Sequence, residues 1–104
     1  MVMTVLEARV ESEDWDTLKT SFNTAITALD TGIIETFLVQ TLNDANTWRI
    51  ITVWESDEAL DLMRASGETP RGVLIFQEAN ARPTLSIYAV ASHAHAKGAP
   101  GGME

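Results

Sequence analysis

The chain has 104 residues, short of a typical domain of roughly 150, so it reads as one domain or one protomer. Seven Lys and Arg against fifteen Asp and Glu give a net charge of −8, which argues against nucleic acid and against an anionic membrane surface, since both need clustered cations. Hydrophobic residues at 45% with 21% charged give a globular composition, and the lack of Cys removes disulfides, thiolate metal sites and cysteine nucleophiles together.

Thr4 to Val10 alternates, with Thr4, Leu6, Ala8 and Val10 on one side, and predicts a strand. Ser12 follows as an N-cap with acids behind it, and Trp15, Leu18, Phe22, Ala25, Ile26 and Leu29 then recur at helical spacing. Asp30-Thr31-Gly32 supplies a glycine stop. Ile33 to Leu42 and Thr47 to Trp54 are rich in β-branched and aromatic residues, and the Asn43–Asn46 turn cluster joins them as a hairpin. Glu55-Ser56-Asp57-Glu58 repeats the helix-start signature before the stripe Ala59, Leu60, Met63, which Ser66-Gly67 ends. Thr69-Pro70-Arg71-Gly72 opens a further helical turn or two through Val73, Leu74, Phe76 and Gln77. Arg82-Pro83 breaks that segment, and Thr84 to Ala91 is the last strand. Residues 1–92 are thus expected to form the domain and residues 93–104 a flexible tail. No apolar run approaches the ~20 residues of a membrane span, and the N-terminus lacks a signal-peptide pattern, so a soluble cytoplasmic protein is expected.

The order β-α-β-β-α-β is that of the ferredoxin-like α+β class, a four-stranded antiparallel sheet with helices on one face. Such a sheet should leave one face wet, yet here both faces are apolar. Trp48, Ile50, Thr52 and Trp54 oppose Arg49, Ile51 and Val53 in the third strand, while Ile33, Phe37 and Val39 oppose Ile34, Leu38 and Leu42 in the second. Helices cover one face only, so a homodimer through the outer sheet face is expected. If the first and third strands are neighbours, Glu7 faces Arg49 or Arg9 faces Glu55, and such a pair holds register more than it stabilises.

The stretch Trp48-Arg49-Ile50-Ile51-Thr52-Val53-Trp54-Glu55-Ser56-Asp57-Glu58-Ala59-Leu60 resembles the signature of the antibiotic biosynthesis monooxygenase family, in which a strand ends in Trp-Glu-Ser and runs into an acidic helix start. Gly32-Ile33-Ile34 resembles the same family, and the element order carries the likeness over nearly the whole chain. The resemblance implies a dimeric α/β barrel and, for some members, cofactor-independent oxidation of polycyclic phenols to quinones. In those enzymes a Trp at the position of Trp54 is accompanied by an Asn four residues earlier and a Tyr six later, where this chain has Ile50 and Leu60. Haem-degrading members use an axial His near the end of the second helix. The histidines here are His93 and His95, beyond the last strand, so haem degradation is not expected.

Trp54 is the leading functional candidate, because an aromatic wall can stack on a planar substrate; the plainer reading is a core tryptophan. Tyr88 can donate a proton or simply pack its ring, and Glu35 is either a buried base or an edge-strand charge that blocks unwanted pairing. A pocket is expected between the inner sheet face and the helices, walled by Phe22, Ile26, Met63 and Phe76, with Ile50, Thr52 and Trp54 as its floor. His93-Ala94-His95 has only the spacing of a metal pair, and the expected metal and cofactor content is none. The functions expected are a cofactor-independent monooxygenase acting on an apolar or aromatic small molecule, or a non-catalytic dimeric binding or regulatory protein of the same fold.

Overall fold

The alternating first segment forms β1 (Val2–Arg9) in the computed structural model, which describes residues 1–96. Of the expected tail, His93 and His95 are exposed outside any helix or strand, and residues 97–104 lie outside the described residues. A 3₁₀ turn over Ser12–Asp14 leads into α1 (Trp15–Ala25), so Ser12 sits within that turn instead of capping the helix. The Trp15 indole donates to the Val10 carbonyl (2.9 Å) and fastens the entry. The helix was expected to reach Leu29. It stops at Ala25 because the i−4 bond from Ile26 to Phe22 gives way to tighter i−3 bonds, Thr27 to Thr24 and Ala28 to Ala25.

The hairpin is β2 (Ile33–Thr41) and β3 (Asp44–Trp54). Its turn is shorter than the Asn43–Asn46 cluster suggests, since Thr41 already pairs with Asp44. The Asp44 carboxylate accepts from Thr47 Oγ1 (2.7 Å), and this bond, with Arg9 nearby, holds its carboxyl below the usual range. Ser56 then caps α2 (Asp57–Ala65), its hydroxyl accepting from the Ala59 N–H (3.1 Å). Pro70 precedes α3 (Arg71–Glu78), which ends in a Schellman motif. Asn80 takes the left-handed conformation (φ 60°), and the Asn80 and Ala81 N–H groups return to Gln77 and Phe76 carbonyls. The last strand, β4, runs Thr84–Ala89.

The four strands pair antiparallel throughout, in the order β2-β3-β1-β4, which is the ferredoxin-like arrangement. Register assigns the side chains of the inner face to transverse rows. One row is Leu85, Leu6, Ile50 and Leu38; the next is Ile87, Thr4, Thr52 and Thr36; the next is Ala89, Val2, Trp54 and Ile33. A bulge in β2 between Ile33 and Glu35 places Ile33 opposite Trp54 and Phe37 opposite Ile51, so Ile33 does not share a face with Phe37 as simple alternation implies. Glu7 does face Arg49 (2.7 Å), whereas Arg9 turns to Asp44 at the hairpin.

The core falls into two clusters. The larger joins Leu6, Trp48 and Ile50 of the sheet to Leu18 and Phe22 of α1 and Ile75 and Phe76 of α3. The smaller joins Val2 and Trp54 to Leu60 of α2. No helix among the described residues is long and apolar enough to cross a membrane.

Gly32 is needed where the chain enters β2. Its φ is +94°, its carbonyl accepts from the Glu55 N–H (2.8 Å), and a Cβ there would lie 2.5 Å from the Ala59 Cβ. Gly32→Ala combines backbone strain with overpacking against α2, and is expected to cost about 2 kcal/mol or more, read as a lower midpoint in urea unfolding. An unchanged midpoint would mean that α2 can move away freely.

Candidate functional site

Between the two clusters a cavity of about 190 Å³ opens over the inner sheet face. For scale, an apolar cavity of roughly 150 Å³ can hold benzene. The floor is the row Thr4, Thr52, Thr36 with Ile50 and Trp54 beside it. Phe22 of α1 with Ile26 and Leu29 of the turn that follows it form one wall, and Leu60 and Met63 of α2 with Val73 and Ile75 of α3 form another.

Trp54 sits at strand position 54 because the row pattern of β3 turns every second residue inward, and it is 4% exposed. Its indole Nε1 donates to Thr4 Oγ1 across to β1 (3.2 Å). Thr36 and Thr52 share a hydrogen bond of 2.9 Å. The polar content of the floor is therefore three hydroxyls and one indole N–H. Asp30, Arg64 and Arg71 supply the ionisable groups on the lining. Arg71 is tied down: its guanidinium donates to the Ala25 and Ala28 carbonyls and faces Asp30 (3.8 Å), so it clamps the loose end of α1 to the start of α3.

Of the residues expected in the pocket, Phe22, Ile26, Ile50, Thr52, Trp54 and Met63 meet around this cavity. Phe76 lies elsewhere, fully buried in the larger cluster, because its turn of α3 faces the Leu18 side of the core. Glu35 and Tyr88 are on the opposite face of the sheet, level with Val53 and Met3, and both are exposed. Thr4, Thr36, Asp30 and Arg71 were not singled out from the sequence. The two threonines become visible only once β1 and β2 are set in register against Thr52, and Asp30 reads in sequence as part of a helix stop. Among the described residues no group of three or more His, Asp or Glu stands together as a metal-binding set.

The model of the antibiotic biosynthesis monooxygenase family matches residues 1–71. The chain belongs to that family. Solved structures of similar fold include a candidate antibiotic biosynthesis monooxygenase from Deinococcus radiodurans (15% identity, TM-score 0.69, covering 94% of this chain and 100% of that one). SnoaB, a cofactor-independent oxygenase from Streptomyces nogalater, follows at 14% identity and TM-score 0.66, covering 88% of this chain and 94% of its own. A conserved protein from Methanosarcina mazei Go1 shares 17% identity at TM-score 0.65, over 84% of this chain and 89% of that one. At these identities the likeness is one of fold. No curated protein matches the chain in sequence.

Within this family member Gly72 controls how closely α3 approaches the cavity floor, since a Cβ there would lie 2.5 Å from the Leu6 Cδ1. Gly72→Ala gains about 1 kcal/mol of helix propensity and loses about 1–3 kcal/mol to overpacking, so the net effect runs from near zero to a loss of about 2 kcal/mol. Leu6 must turn away, and it lines the cavity. Calorimetric titration with naphthalene, run well below the variant's melting transition, should show weaker binding to the variant; equal binding would show that α3 does not set the cavity's size.

Proposed function

We propose that the protein is a homodimeric, cofactor-independent monooxygenase that takes a small aromatic molecule of the polyketide type into the cavity over Trp54. The observation that carries this reading is the lining itself. It is an apolar enclosure with one tryptophan, three hydroxyls and no cysteine or histidine, on a chain of the antibiotic biosynthesis monooxygenase family. SnoaB, of the same fold, is a cofactor-independent oxygenase. The ionisable groups of the lining are one carboxylate and two guanidiniums, so the fitting substrate is one that gives up its own proton readily. Its carbanion adds dioxygen to form a peroxide. Loss of water from that peroxide leaves one oxygen atom on carbon as a carbonyl and the other in the water released. The chain's contribution is to bind the rings, hold the reacting carbon over Trp54 and exclude bulk water.

Oxygen uptake with a panel of anthrones, phenols and hydroquinones tests this reading. At least one should be consumed, and Trp54→Phe, which keeps a ring but loses the indole N–H bound to Thr4, should lower kcat/KM about tenfold. No uptake on any member of the panel would defeat the oxygenase. Binding without uptake would favour a second reading, a non-catalytic binding protein, which the apolar Ile50 and Leu60 on the lining support.

The outer sheet face supports the dimer. Met3, Val5, Phe37, Val39, Ile51, Val53 and Tyr88 share it, with Phe37 45% and Tyr88 49% exposed, and the helices pack on the other side. A second copy covers this face in the assembly we propose, and the cytoplasm, a reducing compartment, suits a chain without Cys. Ile51→Lys places a charge in the middle of the face and should convert the mass measured by light scattering from two chains to one. A wild-type protein that runs as one chain would overturn the dimer.

A further inference from the structure

We propose that the row Thr4, Thr52 and Thr36 is an oxygen-recognition strip, which binds the carbonyl or phenolate oxygen of a ring compound while the rings lie against the apolar walls. The proposal rests on the reading of the cavity as a ligand site and adds which end of the ligand meets which residues.

Three observations point to it. The hydroxyls lie in one register row, Thr4 opposite Thr52 and Thr52 opposite Thr36, so they form a line across β1, β3 and β2. All three line the cavity and are only partly buried. Their hydrogens are also not fully used. Each hydroxyl carries one hydrogen. Thr4 Oγ1 accepts from the Trp54 indole, and its own hydrogen has no partner among the described residues. Thr36 and Thr52 share one bond, which consumes one of their two hydrogens. Two O–H donors therefore remain on a floor whose neighbours in the adjoining rows are Leu6, Ile50, Val2 and Ile33.

A pure hydrocarbon would leave both donors unmet once it displaced water from the floor, whereas a ring oxygen accepts from them. Two donors from separate strands can address the two lone pairs of one carbonyl oxygen. The Trp54–Thr4 bond adds direction: the indole N–H occupies one acceptor site of Thr4, and the Thr4 hydrogen must then point elsewhere. The strip thereby offers two donors to a carbonyl or phenolate oxygen, which has only lone pairs to give in return, and a hydrocarbon can satisfy neither.

Calorimetric titration with 1-tetralone and tetralin, which share a skeleton and differ in the carbonyl oxygen, separates the strip from the cavity. The wild-type protein should prefer tetralone. The Thr36→Val/Thr52→Val double variant, which removes both partners of one bond, and the independent Thr4→Val variant should each lower tetralone affinity about three- to tenfold. Tetralin affinity should stay within about twofold, and the serine variants at the same positions should restore the tetralone preference, because they keep the hydroxyl. Thermal melts followed by circular dichroism identify any variant that fails to fold, and the other then decides. Equal affinity of the wild-type protein for both probes, or valine variants that leave tetralone binding unchanged or weaken both probes alike, would overturn the strip and leave the cavity reading standing. Failure of both probes to bind would overturn the cavity reading and the strip with it.

Discussion

The constraint on which the rest of the structure depends is the register of β1 against β3. It sets Thr4 beside Thr52 and Val2 beside Trp54, and so brings a polar row between two apolar ones on the buried face. Hydroxyls under a packed apolar layer must be paired or they destabilise the core. Here the pairing is partial, through Trp54 to Thr4 and through Thr36 to Thr52. Helix side chains gain little by closing over such a row, and they pack to either side of it instead. The result is two clusters, one around Leu18, Phe22 and Phe76 and one around Trp54 and Leu60, with the cavity between them.

Local devices hold the walls of that cavity in place. The end of α1 loosens into i−3 turns where Ile26 and Leu29 line the cavity, and Arg71 donates to the Ala25 and Ala28 carbonyls of that turn. Gly72, next in sequence, lets α3 sit close to Leu6, and the Schellman motif at Asn80 turns the chain back towards β4. A run of three residues, Pro70-Arg71-Gly72, therefore starts a helix, ties it to α1 and fits it against the sheet. Most of the wall is built on regular elements, and the 26–30 turn, Pro70 and Pro83 complete it from the connections.

Much of this was legible in the sequence, and the limits have physical causes. Period-2 alternation in Thr4–Val10 and Thr47–Trp54 gave both the strands and the inward set Ile50, Thr52 and Trp54, because alternation is a property of one strand alone. The Ser56 cap and the Pro70 start are local too. What failed needed knowledge of a second element. Ser12 has the composition of a cap, but the Trp15 indole bound to Val10 and the 3₁₀ turn before it decide the helix entry. The β2 bulge moves Ile33 to the face of Trp54, and no spacing rule counts a bulge in advance. Phe76 was placed in the cavity from the layering of helices on the sheet, yet it packs with Leu18 in the larger cluster. The threonine row is the clearest case. Thr52 was visible in β3, but Thr4 and Thr36 acquire meaning only as its cross-strand neighbours.

The same register bears on how this chain stands within its family. The resemblance noted from the sequence places an Asn, in the phenol oxygenases, where Ile50 stands here. Ile50 and Thr52 are successive inward residues of β3, so their side chains lie about 7 Å apart along the strand. The hydroxyls of this floor stand one row along the sheet from Ile50, next to Trp54 and linked to it through Thr4. An amide brings its donors and acceptor on one residue, whereas these hydroxyls, each donor and acceptor at once, are spread over three strands. A ring bound with its oxygen on this row lies nearer the α2 side of the cavity, against Leu60 and Met63, than one anchored at position 50.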